Sequence, residues 1–354
     1  MKALITAGGH GTRLRPITHT QNKHLIPIAN KIMLQYALEY AAEAGIREAG
    51  IIINAGDTSI QNVFEDGNQF GLEITYIPQD APLGLAHVVK ISQDFIGDDS
   101  FVFYLGDNIL VGGIKHFIDD FTKNGTNCHL VLSKVSDPNR FGVAEIEGGR
   151  ILSIEEKPDY PKSNLAVTGI YVYDSTIFEA VNNIEPSARG ELEISDAHQY
   201  LLNKGYSVSY SEITGWWKDT GKPSDLLEAN RLVLDSIKHK KLGIVDEHST
   251  ISGRVQFGGN SKVINSTIRG PVILGENTKI ENSYVGPYTS IGKDCVIKNS
   301  ELEFSILMNG CTIEDIQRRI EASLLGNDVV IRRTQKKPVT HRIMVGDQSR
   351  IEIE

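Results

Sequence analysis

Cysteine is scarce in this chain of 354 residues: only Cys128, Cys295 and Cys311 occur, an odd number without metal-ligand or redox spacing. That excludes a disulfide framework, fits a reducing cytoplasm, and makes the three thiols candidates for small buried apolar positions. Long hydrophobic runs are also missing. No stretch approaches the ~18 apolar residues of a membrane span. The N-terminal MKALITAGG has one lysine and a short apolar run ended by glycines, without the longer hydrophobic region and cleavage site of a secretory signal. A cytoplasmic protein with no membrane partner is expected. Positive charge is short as well, with 36 Lys and Arg against 45 Asp and Glu for a net charge of -9. No basic field exists to hold nucleic acid or anionic lipid, so any phosphate-bearing ligand must be small and locally held.

What remains, 40% hydrophobic and 23% charged residues, is the composition of a globular protein, and the length suits two domains. Up to about residue 235, short apolar runs alternate with amphipathic helical stretches, the pattern of a Rossmann-like α/β domain with a mixed, mostly parallel sheet. Met1 to Ala7 reads as a strand, Leu34 to Ala44 as a helix stopped at Gly45, and Ala49 to Asn54 as a second strand, together a βαβ unit. Phe101 to Leu105 runs into Gly106-Asp107-Asn108, which places an acid at a strand's C-terminal end, where open α/β sheets bind ligands. Two strands about Glu147-Gly148-Gly149-Arg150 suggest an antiparallel insert ending in Glu155-Glu156-Lys157-Pro158. A helix is expected from Pro223 to about Ile237, and the basic run Lys238 to Lys241 marks a boundary between domains 1–240 and 241–354.

Beyond it a different period begins. Apolar residues fall at Ile251, Phe257, Val263, Ile268, Leu274, Ile280, Val285, Ile291, Ile297 and Leu302, in steps of 6, 6 and 5 that repeat every 17 residues. Three short sides per turn, with Gly275, Gly286 and Gly292 directly after an inward residue, indicate a left-handed parallel β-helix of hexapeptide type; the alternative is a β-sandwich with coincidental spacing. The register falters after Leu302 and partly resumes at Leu325 and Ile331, and Ile343 to Ile353 reads as a terminal strand or cap.

The segment richest in chemistry is Ala7-Gly8-Gly9-His10-Gly11-Thr12-Arg13-Leu14-Arg15-Pro16, followed by Lys23 and Pro27. Glycines after a strand let backbone N–H groups approach a polyphosphate, and Arg13 and Lys23 add fixed positive charge. No Gly-Lys-[Ser/Thr] ends it and Gly9-His10-Gly11 lacks a following Gly at position 14, so it is neither a Walker A loop nor a dinucleotide fingerprint. On residue chemistry alone, Gln79 is also readable as a loop glutamine, Asp219 as a turn or capping residue, and Lys157 as a solvated lysine.

With these motifs the sequence resembles the sugar nucleotidyltransferases, whose signature is Gly-Gly-x-Gly-Thr-Arg-Leu-x-Pro with a lysine about ten residues on. The resemblance extends over essentially the whole chain, and is to the long-form members that join dTTP and glucose-1-phosphate and carry a hexapeptide-repeat extension. It implies that Gly8, Gly9, Gly11 and Thr12 hold the nucleotide, while Arg13 and Lys23 neutralise the departing pyrophosphate. In Pro78-Gln79-Asp80-Ala81-Pro82-Leu83-Gly84, Gln79 would read the pyrimidine edge, and Gly84 would let the base lie against backbone. Asp107 and Asp219 resemble the Mg2+ ligands, a hard oxygen pair suited to that ion. For the sugar phosphate the resemblance implies Gly142, Glu156, Lys157, Val167, Gly169, Arg189 and Glu191, with Lys157 catalytic alongside Arg13 and Lys23. Two positions depart from the family pattern: His24 stands where Gln is usual, and Thr6 where an aliphatic residue is expected.

The implied reaction is in-line attack by a glucose-1-phosphate oxygen on the α-phosphorus of dTTP. The alternative is a UTP-dependent transferase, alone or bifunctional with an acetyltransferase in the repeats, for which His248 and His341 are the only histidines beyond residue 240. The flat-sided repeat domain is expected to assemble a homo-oligomer.

Overall fold

The computed structural model describes residues 1–240, 243–333, 343, 345, 348 and 349. His341, and all but four positions of the segment Ile343 to Ile353 read as a cap, lie outside the described residues. The chain forms two compact units: Met1–His10 with Leu34–Asp219, and Gly11–Met33 with Thr220–Glu354. A boundary at residue 240 follows the change of periodicity, but compactness divides the chain elsewhere. Residues 11–33 and the helix at 223 are tied to the repeats by hydrogen bonds such as Gln21 Nε2 to Met308 Sδ, Asn30 Nδ2 to Ile291 O and Asn230 Nδ2 to Tyr288 O.

The first unit is built on nine strands: β1 (Lys2–Thr6), β2 (Glu48–Asn54), β3 (Glu73–Gln79), β4 (Phe101–Leu105), β5 (Cys128–Lys134), β6 (Gly142–Glu147), β7 (Arg150–Glu156), β8 (Leu165–Tyr173) and β9 (Val208–Glu212). Their order is β7-β6-β8-β4-β1-β2-β3, with β5 pairing both β8 and β9. The stretch β4-β1-β2-β3 is parallel, and β8 joins it antiparallel to β4. Strands covered on both faces read as unbroken apolar runs, as in Ala3-Leu4-Ile5 and Phe101 to Tyr104, all buried. Helix α1 (Met33–Glu43) makes the crossover from β1 to β2, the expected βαβ unit. The expected antiparallel insert is β6 and β7, which pair across Gly148 and Gly149, both at positive φ as a two-residue hairpin requires. Helices α2 (Leu85–Ile91) and α3 (Ile194–Asn203) add Ala86, Val88, Val89, Ile194, Ala197 and Leu201 to the core.

In the second unit, helix α4 (Pro223–Leu234) begins with proline in its first turn and ends three residues before the expected Ile237. Buried Asn230 on α4 is a polar rivet. Its Oδ1 accepts from Ala29 N at 2.9 Å and from Ser290 Oγ at 2.6 Å, and its Nδ2 donates to Tyr288 O at 3.1 Å. A buried polar group costs free energy unless its hydrogen bonds are made, so this one side chain ties the chain at Ala29 and the coil at Tyr288 and Ser290 to the helix.

The repeats form three all-parallel sheets, of six, five and five strands, the arrangement of a β-helix. Nine of the ten expected inward residues are buried; Ile251, in the outermost strand of its sheet, is half-buried. Ile251, Ile268, Val285 and Leu302 stack in register. The faltering register has a specific form. Ile291 pairs with Leu307 and Ile297 with Ile313, each sixteen residues on, and then Leu307 pairs with Leu325 and Ile313 with Ile331, each eighteen on. A coil one residue short is followed by one a residue long, and the stack returns to frame. Cys128, Cys295 and Cys311 are free and buried, as expected.

Close stacking fixes the glycines. A Cβ on Gly275 would overlap the backbone of Gly292 and Lys293 in the next coil. Gly275→Val is therefore expected to destabilise the coils by about 1–3 kcal/mol, the usual cost of overpacking. Urea unfolding of the full chain checks this, and an unchanged midpoint would remove the stacking argument.

Candidate active site

Parallel strands end on one edge, and the candidate residues of the first unit follow from that. Thr6 of β1 is level with Leu105 of β4, and Asn54 of β2 is level with Gln79 of β3. The turn after β1 is clasped by Asn54, whose Oδ1 accepts from Gly9 N at 2.8 Å and whose Nδ2 donates to Gly9 O at 3.3 Å. Gly8 faces the same Asn54 amide and the Oε1 of Gln79. Thr6 has a use for its hydroxyl: Gly106 N donates to both its Oγ1 and its carbonyl, at 3.2 and 3.1 Å, closing the turn that presents Asp107.

Gly84 adopts φ of 101°, a conformation open to glycine, and a Cβ there would strike the backbone of Leu192. Leu192 N donates to Leu83 O at 2.8 Å, and Ala86 N donates to Leu192 O at 3.0 Å. The loop expected to meet the base is thus pinned to the loop expected to meet the sugar.

Asp107 and Asp219, 112 positions apart in sequence, are brought together by a small antiparallel ladder. Asn108–Leu110 pairs with Trp217–Asp219 so that Asp219 lies opposite Asn108, the neighbour of Asp107. Asn108 donates to Asp107 Oδ1 at 3.0 Å and accepts from the indole of Trp217. Among the described residues no third acidic, histidine or cysteine group completes a metal cluster with the pair. Two carboxylates suit a hard divalent cation whose remaining ligands are phosphate oxygens and water.

A third cluster gathers Glu156, Lys157, Arg189 and Glu191, four of the residues expected at the sugar phosphate. Glu156, at the end of β7, accepts from Ser195 Oγ on its Oε2 at 2.8 Å, while its Oε1 meets Lys157 Nζ at 2.9 Å and Arg189 Nη2 at 3.3 Å. Arg189 also pairs with Glu193 at 2.7 Å and Glu191 at 3.8 Å. Gly142 lies against Ser195 and Glu156. The carboxyl of Asp196, in the first turn of α3, is raised above its usual range by burial and then by the charges of Glu193 and Glu156. Val167 has its side chain in the core, and Gly169 packs against Leu105, two residues before Asp107. Both sit in β8, where its register with β5 shifts between Val167 and Tyr171.

Gly11, Thr12, Arg13 and Lys23 belong to the second unit. Thr12–Leu14 is a 3-10 turn whose Leu14 is buried, leaving Thr12 and Arg13 exposed. Gly11 lies against Thr18 and Lys23, and Arg13 lies beside Gly221. Lys23 opens a further 3-10 turn capped by Asn22. His24 is buried with its Nδ1 2.9 Å from Asn22 Oδ1, so the departure from the family pattern serves the turn itself. His248 is exposed beside Glu247.

Sequence reasoning passed over Asn54, Asn108, Glu193 and Ser195. Asn54 was within reach, since it ends a strand on the edge that carries Gln79 and the other candidate residues. The others show only in the fold.

A family model described as Nucleotidyl transferase matches residues 2–236. The chain belongs to the nucleotidyl transferase family. A glucose-1-phosphate thymidylyltransferase from Streptomyces griseus is 48% identical to this nucleotidyl transferase over 354 residues, spanning 100% of this chain and 99% of the relative. A Bacillus anthracis structure solved in complex with a sucrose superposes with a TM-score of 0.64 at 40% identity, covering 68% of this chain and 98% of its own. A UDP-glucose pyrophosphorylase complexed with UDP-glucose superposes at 0.60 with 26% identity, covering 67% and 99%. The match to the Streptomyces protein runs the full length of this nucleotidyl transferase and so includes its repeats.

Proposed function

We propose that this nucleotidyl transferase transfers the thymidylyl group of dTTP to glucose-1-phosphate in the cytoplasm, giving dTDP-glucose and pyrophosphate. The observation that carries the reading is the one sheet edge that presents an amide suited to a pyrimidine, at Gln79, with the pinned Gly84 loop joining it to the cation cluster at Glu156. The full-length likeness to a protein named for this activity supports it.

A sugar-phosphate oxygen forms the new bond to the α-phosphorus as the bond to the bridging oxygen breaks, and pyrophosphate leaves with that electron pair. The attacking phosphate has a second pKa near ~6 and is already ionised at neutral pH, so no general base is required. The protein's work is positioning and charge neutralisation. Gly8, Gly9, Gly11 and Thr12 hold the triphosphate through backbone donors, and Arg13 and Lys23 receive the charge of the leaving pyrophosphate. Lys157 and Arg189 converge on one Glu156 oxygen, where two cations can turn to the sugar phosphate while Glu156 and Glu191 accept from sugar hydroxyls. Asp107 and Asp219 would hold Mg2+, which supplies positive charge to phosphate oxygens when bound. The repeats assemble copies of the chain through their flat faces.

Pyrophosphate release across dTTP, UTP, CTP, ATP and GTP against glucose-, galactose- and N-acetylglucosamine-1-phosphate tests this. The highest kcat/KM is expected for dTTP with glucose-1-phosphate. A maximum at UTP with N-acetylglucosamine-1-phosphate would overturn the substrate pair and direct attention to acetyl transfer by the repeats.

A further inference from the structure

We propose that His87 sets the orientation of the Gln79 amide and thereby makes the site accept the imide edge of a pyrimidine and reject the amino edge of cytosine. This rests on the reading that Gln79 faces the base. Gln79 is the last residue of β3, and His87 is the third of α2. The amide Nε2 of Gln79 lies 3.2 Å from His87 Nδ1, while Oε1 is on the side of Gly8. The two bonds between Leu192 and the chain about Gly84 fix the start of α2, so the imidazole is held in place relative to the strand end.

A primary amide carries two hydrogens and one carbonyl oxygen. One hydrogen is given to Nδ1. The other, with Oε1, forms a donor–acceptor pair matched to a ring carbonyl and the imide N–H beside it. Cytosine offers an amino donor and a ring-nitrogen acceptor, the reverse order, and binding it requires the amide to turn over. The turned amide would point Oε1 at the Nδ1 lone pair, two acceptors face to face. The device therefore works while His87 is neutral. Its pKa is lowered by burial and then by Lys90, against an opposing effect of Asp80.

The test uses the full-length protein with glucose-1-phosphate and measures kcat/KM for dTTP and dCTP at pH 8 and pH 5.5. In His87→Phe the preference for dTTP over dCTP should narrow roughly tenfold, mainly through nucleotide KM. His87→Gln, which restores an acceptor, should recover most of it. In the parent protein the preference should narrow on acidification, and in His87→Gln it should be insensitive to pH. An unchanged preference in His87→Phe alongside a lost one in Gln79→Leu overturns the role of His87 alone. If Gln79→Leu keeps the preference, Gln79 does not read the base and the proposal falls with that reading. Should His87→Phe fold poorly, His87→Leu measured in the same way decides: a preference for dTTP over dCTP equal to the parent's overturns the proposal.

Discussion

Asp219→Asn is expected to lower turnover at saturating substrates by roughly 10²–10³-fold, the range seen when one preorganised electrostatic contact to a reacting group is removed. The Mg2+ concentration giving half-maximal activity should rise with it. The ladder that places Asp219 opposite Asn108 depends on main-chain bonds, so the amide variant keeps the backbone pairing and removes the charge. Asp107→Asn should behave alike, because Asp107 and Asp219 would share one ion. A Mg2+ titration unchanged in both variants would refute the assignment. The contrast with glucose-1-phosphate KM is informative, since the residues that would hold the sugar phosphate, Glu156, Lys157 and Arg189, are separate from the pair and should bind as before.

Arg13→Ala is expected to have the second large effect, again roughly 10²–10³-fold in kcat, with a much smaller change in glucose-1-phosphate KM. Leu14 anchors the turn in the core while Arg13 projects outward, so truncation at 13 removes charge with little loss of packing. A group that neutralises the leaving pyrophosphate matters more as the bond breaks than when substrate binds. Equal losses in turnover and in sugar-phosphate binding would count against that role. Arg13→Lys should recover only part of the rate, because a point charge replaces a planar fork.

Much of the fold was legible because it is periodic. Phe101 to Leu105 is a strand with the expected limits, α1 differs by one residue at each end, and nine of ten inward coil positions are buried. A repeat states its own register, so each coil corroborates the next. The compensated coil pair after Leu302 was not readable, since a shift of one residue erases the period that reveals the strands. Long-range partners were the other blind spot. Nothing near residue 219 announces its pairing with Asn108, and nothing near Ala29 announces Asn230. At the candidate site, the motifs name residues in groups, while the side chains that orient them, Asn54 for Gly9 and Ser195 for Glu156, carry no local signature.

The interruption of the first unit by residues 11–33 has a consequence for synthesis. That segment is translated well before the remainder of its compact unit, which resumes only at Thr220. At about 5–20 residues per second, it waits on the order of 10–40 s for α4 and the coils to emerge. Meanwhile β1 and the strands from Leu34 to Asp219 can pair with one another while residues 11–33 await the rest of their own unit. A ribosome that stops short of Asn230 therefore releases a chain in which Ala29 N lacks the side-chain acceptor that Asn230 gives it.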